Sequence, residues 1–264
     1  MAEPPAIIEE EDRFIMYAKG VFEFSQHVMT LLGFIYLFRA INGEITLKRN
    51  NHFGRGRYWV MLYEQWVYKN MWSLLIFPFA IIFSPSCTGR FACLLLLVDS
   101  IVSFMWIPGR LLYYHSDYFF SELLVRMVRN LFFVVAFSSW NILLSEDLPF
   151  SWWNMFCMST AFICFFYGMK KRMCCFDTIA LFLYTDKIHT PGYDDFKYCT
   201  SPNHWGEAIQ WIAFHTICNS PVSWGFALYK VQVAWGRAHM RQKWFHENVP
   251  RYPKRRAMII PRLI

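Results

Sequence analysis

Apolar residues in this chain gather into long runs separated by short polar stretches. Runs that can be measured against ~30 Å of hydrocarbon lie at Gln26 to Ile41, Trp59 to Phe83, Phe91 to Ile107, Asn130 to Leu144, Trp152 to Met169, Trp205 to Cys218 and Val222 to Trp235. The pattern predicts an all-α, polytopic membrane protein of about seven transmembrane helices in one bundle, the sixth being the shortest. No internal repeat, low-complexity tract or long linker divides the chain, so residues 1–264 read as a single membrane domain.

Composition agrees: 56% hydrophobic, 20% aromatic and 17% charged residues are far from an ordinary soluble domain. Charge then orients the runs. Connections after the first, third, fifth and seventh carry Lys48, Arg49, Arg55 and Arg57, then Arg110, Arg126 and Arg129, then Lys170, Lys171 and Arg172, then the basic tail from Arg237 to Arg262. The opposite side receives Glu9 to Asp12, Pro85 to Arg90, Glu146-Asp147 and Asn219-Ser220. Basic loops face the cytosol or, in an organelle, the matrix, and the carboxyl terminus is expected there with them. The endoplasmic reticulum is the expected membrane and the mitochondrial inner membrane the alternative.

The net charge of +7 is divided among these connections and is not gathered on one soluble surface, so membrane lipids and not nucleic acid are the expected partners. The eight cysteines form no C-x-x-C pair, which argues against a zinc site or a disulfide framework and for buried thiols, with Cys174-Cys175 a weak palmitoylation candidate. The first twelve residues are acidic and Pro-rich and read as no cleavable signal, so the first run is expected to serve as its own insertion signal.

On a helix starting near Pro202, Asn203 and Glu207 share a face with Gln210 one turn further on. This polar stripe reads equally well as a ligand site or as hydrogen bonding between helices. Lys230, Arg237 and Arg241, seven and four residues apart, place three cations along one side of the last helix. They suit a phosphate or membrane anchoring. Glu64, near the start of the second run, is a carboxylate that either hydrogen-bonds a carbonyl or pairs with Lys69. His204 and His215 lack a third metal ligand and are expected to be satisfied core or interface residues. His115-Ser116-Asp117 has no nucleophile elbow, and the chain has neither G-x-G-x-x-G nor G-x-x-x-x-G-K.

The stretch from Asp177 to Ile264 resembles the membrane steroid 5α-reductases and their relatives, the trans-2-enoyl-CoA reductases and polyprenol reductases. The likeness lies in Pro191, Phe196 and Tyr198, in Asn203 with Gly206-Glu207, in Trp211 and Arg237, and in Tyr252-Pro253-Lys254, Arg256 and Ile260-Pro261. Glu64 echoes the family's substrate-binding glutamate. The resemblance implies a seven-helix, NADPH-dependent reductase of a carbon–carbon double bond conjugated to a carbonyl in a lipid substrate. It implies that Asn203 and Glu207 hold the nicotinamide–ribose end, Arg237 the phosphates and Asp177 another part of the nucleotide, while Glu64 polarises the substrate carbonyl.

The chain departs from the family pattern at several positions. Tyr193 and Asp194 stand in place of two adjacent glycines, Ile188 and His189 in place of a Tyr-Arg pair, and Phe245 in place of an aromatic hydroxyl. The position of the tyrosine that partners the substrate glutamate falls near Ile101-Val102; Tyr63, Tyr113 and Tyr114 are candidate substitutes. These departures define the alternative expectation, a reductase-derived structural subunit of a larger membrane complex. A transporter is disfavoured because no inverted repeat is visible.

Overall fold

The computed structural model describes residues 5–42, 58–106, 120–184, 194–249, 252–253 and 255–260, with side chains described for 13–42, 71–105, 127–175, 195–247, 249, 252–253 and 255–260. Seven α-helices occur among the described residues: α1 (Pro5–Ile41), α2 (Tyr58–Phe83), α3 (Cys87–Trp106), α4 (Phe120–Leu143), α5 (Trp152–Tyr184), α6 (Pro202–Cys218) and α7 (Pro221–Asn248). A short 3-10 turn, Asp194–Lys197, precedes α6. The seven apolar runs match these seven helices in order, the fourth passing one residue beyond its helix at Leu144 and Ile107 of the third lying outside the described residues, and α6, at 17 residues, is the shortest of the described helices.

Contacts between helices show that consecutive helices run in opposite directions. α1 and α7 are side by side and parallel, with Gly225 against Gln26, Gly33 against Tyr229 and Gly236 against Tyr36 and Ala40. α2 and α4 are also parallel: Phe77 meets Phe137 edge-on at 6.3 Å, and Ser84 Oγ donates to the Asn141 carbonyl at 2.9 Å. α4 is antiparallel to α7, with Phe133 stacked on Phe226 at 3.5 Å and Arg129 hydrogen-bonded to the Tyr229 hydroxyl. The tightest crossing joins α5 to α6 at Gly168 and Gly206. A Cβ on Gly168 would meet the Gly206 carbonyl oxygen at 2.5 Å, and one on Gly206 the Gly168 oxygen at 2.8 Å, so any side chain there pushes the helices apart.

An aromatic core fills the bundle. Phe77, Phe137, Phe165 and Phe214, from α2, α4, α5 and α6, are fully buried, and Trp211 and Phe226 join them from α6 and α7. The α2–α3 turn is pinned to the end of α4 by Ser84, Ser86, Asn141 and Ser145, with the Thr88 amide donating to Asp147. α6 stops at Asn219, which adopts a left-handed conformation at φ 44. α7 then starts with Pro221 in its first turn and a reciprocal Ser220–Ser223 capping box.

Among the described residues two helices are long and apolar enough to cross a membrane, Arg13–Ile41 and Cys87–Met105, with shorter apolar helices at Met71–Phe83 and Met127–Leu143. Only 22% of the α1 window is buried, and Phe24, Leu31, Phe34, Ile35 and Phe38 lie on the outside. An exposed apolar surface of this extent is consistent with insertion into a membrane. Within the described residues α6, at 17 residues, is too short for the same measure, and α7 is interrupted by polar residues.

Several charges assigned from sequence to connections lie inside helices. Glu9 to Asp12 belong to α1, Arg126 and Arg129 to α4, and Lys170 to Arg172 to α5. Lys and Arg are good helix formers, so a helix continues where its hydropathy falls. Arg172 is turned inward, where its Nη2 donates to Asp99 Oδ1 at 2.5 Å and to Ser103 Oγ at 3.1 Å.

Candidate functional site

The beginning of α6 and the second half of α7 form the most polar part of the interior. Pro202 at the first helical position fixes where α6 starts, and this places Asn203 and Glu207 towards α7. Arg241 Nη1 donates to Asn203 Oδ1 at 3.0 Å. Lys230 Nζ donates to Glu207 Oε1 at 3.4 Å and also lies 5.2 Å from the ring centres of Trp211 and Phe226. His204 Nδ1 is 3.6 Å from Glu207 Oε2, too long for a hydrogen bond. Arg237 is close enough to act electrostatically on both His204 and Glu207.

The expected stripe of Asn203, Glu207 and Gln210 divides between two partners. Gln210 belongs to a second network, where its Nε2 donates to Asp99 Oδ1 at 2.8 Å, the same oxygen that receives Arg172. Asp99 and Ser103 were not singled out from sequence, and Arg172 was expected in a connection. The available signal was an aspartate within the apolar run of α3, since an ionisable residue in such a run requires a partner.

The two histidines also differ. His215 Nδ1 is hydrogen-bonded with Ser223 Oγ at 3.0 Å, as expected of a satisfied interface residue. His204 is 4% exposed, and neither ring nitrogen has a hydrogen-bond partner. Among the described residues no group of three or more His, Cys, Asp or Glu is placed to hold a metal ion.

The carboxyl-terminal segment closes over this end of the bundle. Thr200 and Ser201 donate their amides to the carbonyls of Ala257 and Met258 at 2.8 and 3.1 Å, and Thr200 Oγ1 shares a 2.5 Å hydrogen bond with the Tyr252 hydroxyl. Phe245 stacks on Tyr252 at 5.5 Å and 6°, Arg256 lies 5.3 Å from the Tyr252 ring centre, and Gln242 Nε2 donates to the Arg256 carbonyl at 3.0 Å. Phe245, which lacks the family's hydroxyl, therefore has a packing role here. Burial raises the Tyr252 hydroxyl pKa above its ordinary value and pushes the nearby Cys199 thiol up to about 12.

Of the residues carried over from the resemblance, Asn203, Glu207 and Arg237 are brought together. Gly206 holds the α5 crossing, Trp211 packs in the aromatic core, and Tyr252 and Arg256 hold the tail. Glu64 and Tyr63 lie in α2 and Asp177 in α5, but their side chains are outside the described ones. Also outside are Lys48, Arg49, Arg55, Arg57, Arg110, Tyr113, Tyr114, His115 to Asp117, Ile188, His189, Pro191 to Tyr193, Lys254 and Pro261, together with the side chain of Asp194. Ile101, at the expected tyrosine position, points outward from α3 and cannot donate a proton.

A family model described as 3-oxo-5-alpha-steroid 4-dehydrogenase matches residues 120–264, from the start of α4 onwards and more than half of the chain. The chain belongs to this family. The 3-oxo-5-alpha-steroid 4-dehydrogenase family comprises membrane-embedded oxidoreductases acting on CH–CH groups. Among individual relatives, 3-oxo-5-alpha-steroid 4-dehydrogenase 1 of Bos taurus is 35% identical over 69 residues, covering 26% of this chain and 27% of the relative. The Rattus norvegicus protein of the same name is 33% identical over 66 residues, covering 25% and 26%, and that of Mus musculus 33% over 69 residues, covering 26% and 27%. The chain thus aligns with about a quarter of the length of the curated 3-oxo-5-alpha-steroid 4-dehydrogenases it matches.

Proposed function

We propose that this chain is a membrane-embedded reductase that uses NADPH to reduce a carbon–carbon double bond conjugated to a carbonyl in a lipid substrate of the steroid, enoyl-thioester or polyprenol type. The observation that supports this most is the buried polar network of α6 and α7. It joins Asn203 and Glu207 to Arg241 and Lys230, with Arg237 alongside and the unpartnered ring of His204 within it. Such a set fits a nucleotide, whose ribose hydroxyls and phosphates need both a carboxylate and several cations. Asn203 and His204 are buried and Glu207 and Lys230 partly so, which strengthens charge–dipole contacts made there.

NADPH in this position would supply the hydride. Asn203 and Glu207 would hold its nicotinamide–ribose end, Arg237 its phosphates and Asp177 another part of the nucleotide. Glu64 would hydrogen-bond the substrate carbonyl, so that negative charge growing on that oxygen meets a donor in a water-poor site. The lipid substrate would enter from the apolar side of the bundle. The full reading has all seven helices crossing the membrane, in the endoplasmic reticulum or the mitochondrial inner membrane, with the carboxyl terminus in the cytosol or matrix.

Binding of NADPH to the detergent-purified chain tests the reading, with Arg237→Ala and Glu207→Gln as controls. Saturable binding that both controls weaken is the expected result; absence of binding to the folded chain would reject it.

One observation favours a second reading. Asn203 and Glu207 already have protein partners in Arg241 and Lys230, as residues that only join helices do. In that case the chain is a catalytically inactive subunit of a larger membrane complex. Folded protein that binds no NADPH and co-purifies in fixed stoichiometry with other membrane proteins is the outcome that reading requires.

A further inference from the structure

Phe150, Trp152 and Trp153, where α4 turns into α5, are 81%, 80% and 69% exposed. The turn that carries them is nonetheless well held. The Thr88 amide donates to Asp147 Oδ1 at 3.0 Å, the Leu148 amide to Thr88 Oγ1 at 3.4 Å, and Asn154 Nδ2 to the Pro149 carbonyl at 2.9 Å. The rings pair with each other, Phe150 with Trp152 at 6.1 Å and Trp153 with Phe156 at 5.9 Å, and none of them belongs to the aromatic core. Three large rings held out in water forgo the burial that rings of this size obtain in a core. Because they are already fixed in place, little ordering remains to be done when something covers them.

The nature of that cover follows from position, distribution and charge. Between Trp152 and Met169 α5 carries no Asp, Glu, Lys or Arg, and Lys170-Lys171-Arg172 follow directly. The interval is about 27 Å of helix, close to the ~30 Å of a bilayer's hydrocarbon, so the aromatic and basic ends of α5 are spaced as the two edges of a membrane are. Among the described side chains the exposed tryptophans are Trp152, Trp153 and Trp224. All three lie at one end of the bundle, where α4 ends and α5 and α7 begin. A partner protein docked on the turn would leave Trp224, on another helix, unaccounted for. The indole, with an apolar body and one N–H donor, suits the glycerol and carbonyl layer of lipid. The charges of the turn itself, Glu146 and Asp147, are exposed and would repel an anionic headgroup.

We propose that Phe150, Trp152 and Trp153 form an anchor seated in the glycerol–carbonyl layer of a zwitterionic leaflet, at the end of the bundle opposite the carboxyl terminus of α7. The anchor sets the depth of α5 and, through the Gly168–Gly206 crossing, the depth of α6. It rests on the membrane embedding of the family and is independent of the cofactor reading.

The test is fluorine NMR of the full chain labelled with fluorotryptophan in phosphatidylcholine nanodiscs, the resonances being assigned by single Trp→Phe variants. Three paramagnetic probes are added in turn: phosphatidylcholine with a nitroxide next to the acyl carbonyl, the same lipid with the nitroxide at the chain end, and a water-soluble gadolinium chelate. The expected result is that the carbonyl-level nitroxide abolishes the Trp152 and Trp153 resonances while the other two probes leave them visible. The buried Trp211 should persist throughout, which shows that the chain is folded. Loss of the Trp152 and Trp153 signals to the chelate, with Trp224 still broadened by lipid, would overturn the anchor and leave the membrane embedding standing. Loss to the chain-end nitroxide instead would place the turn in the hydrocarbon and likewise overturn it. Protection from all three probes would mean that protein, a second copy included, covers the turn, and would also overturn it. If neither lipid nitroxide broadens any tryptophan of a folded chain, the membrane embedding itself fails.

Discussion

Glu207 and Lys230 form an ion pair inside the bundle, and such a pair is asymmetric in its consequences. Removing one partner leaves the other charge buried, which costs about 3–5 kcal/mol, whereas replacing both is often close to neutral. Lys230→Met is therefore expected to lower the melting temperature strongly, and Lys230→Met with Glu207→Gln to recover most of the loss; thermal unfolding in detergent reads both. At the tail, Tyr252→Phe removes the hydrogen bond to Thr200 and retains the Phe245 stack. The expected loss is about 1 kcal/mol, seen as a small fall in melting temperature and faster proteolysis after Val249. At this scale the sequence revealed which residues were out of place in an apolar run, as with Glu207 and Lys230. It did not reveal their partners. Asn203 and Gln210 are seven residues apart on nearly one face, about 10 Å along the axis, and crossing helices diverge over that length, so one meets α7 and the other α3.

The α5–α6 crossing depends on two hydrogen atoms where other residues carry side chains. Gly168→Leu is expected to separate the helices, break the Arg172–Asp99–Gln210 network and abolish a cooperative unfolding transition, while Gly20→Leu on α1, where a new Cβ meets nothing within 4 Å, is expected to leave the transition unchanged. Circular dichroism melting distinguishes the two. Element positions were the most legible part of the fold, because an apolar run of span length has few alternatives to a helix. Their ends were not. α1 begins at Pro5 and not near Gln26, and α5 continues from Met169 to Tyr184. Hydropathy marks where lipid contact ends, whereas a helix ends at a cap, a glycine or a proline. The same distinction moved Arg129 and Arg172 from expected loops to interhelical bonds.

For the whole molecule, alternating helix direction places Cys87, at the start of α3, and Cys174, near the end of α5, at opposite ends of the bundle. Both are exposed. In sealed vesicles a membrane-impermeant maleimide is expected to label one of them and not the other, and permeabilisation to expose both; simultaneous labelling in intact vesicles would contradict the topology. Cys199, whose burial raises its pKa to about 12, remains a protonated thiol at neutral pH and, like the buried Cys175, is expected to stay unlabelled until the chain is unfolded. Which helices are neighbours could not be read from apolar runs, since every run presents much the same surface. The pairing of α1 with α7 is the clearest instance. It has a consequence for how the protein is made: α1 leaves the ribosome early, and its closest companion is synthesised near the end. Until α7 is made, the Gly33 face of α1 has no mate. A chain that stops before Pro221 is therefore expected to leave the Gly33 face of α1 without its partner, so the loss at its end also destabilises its beginning.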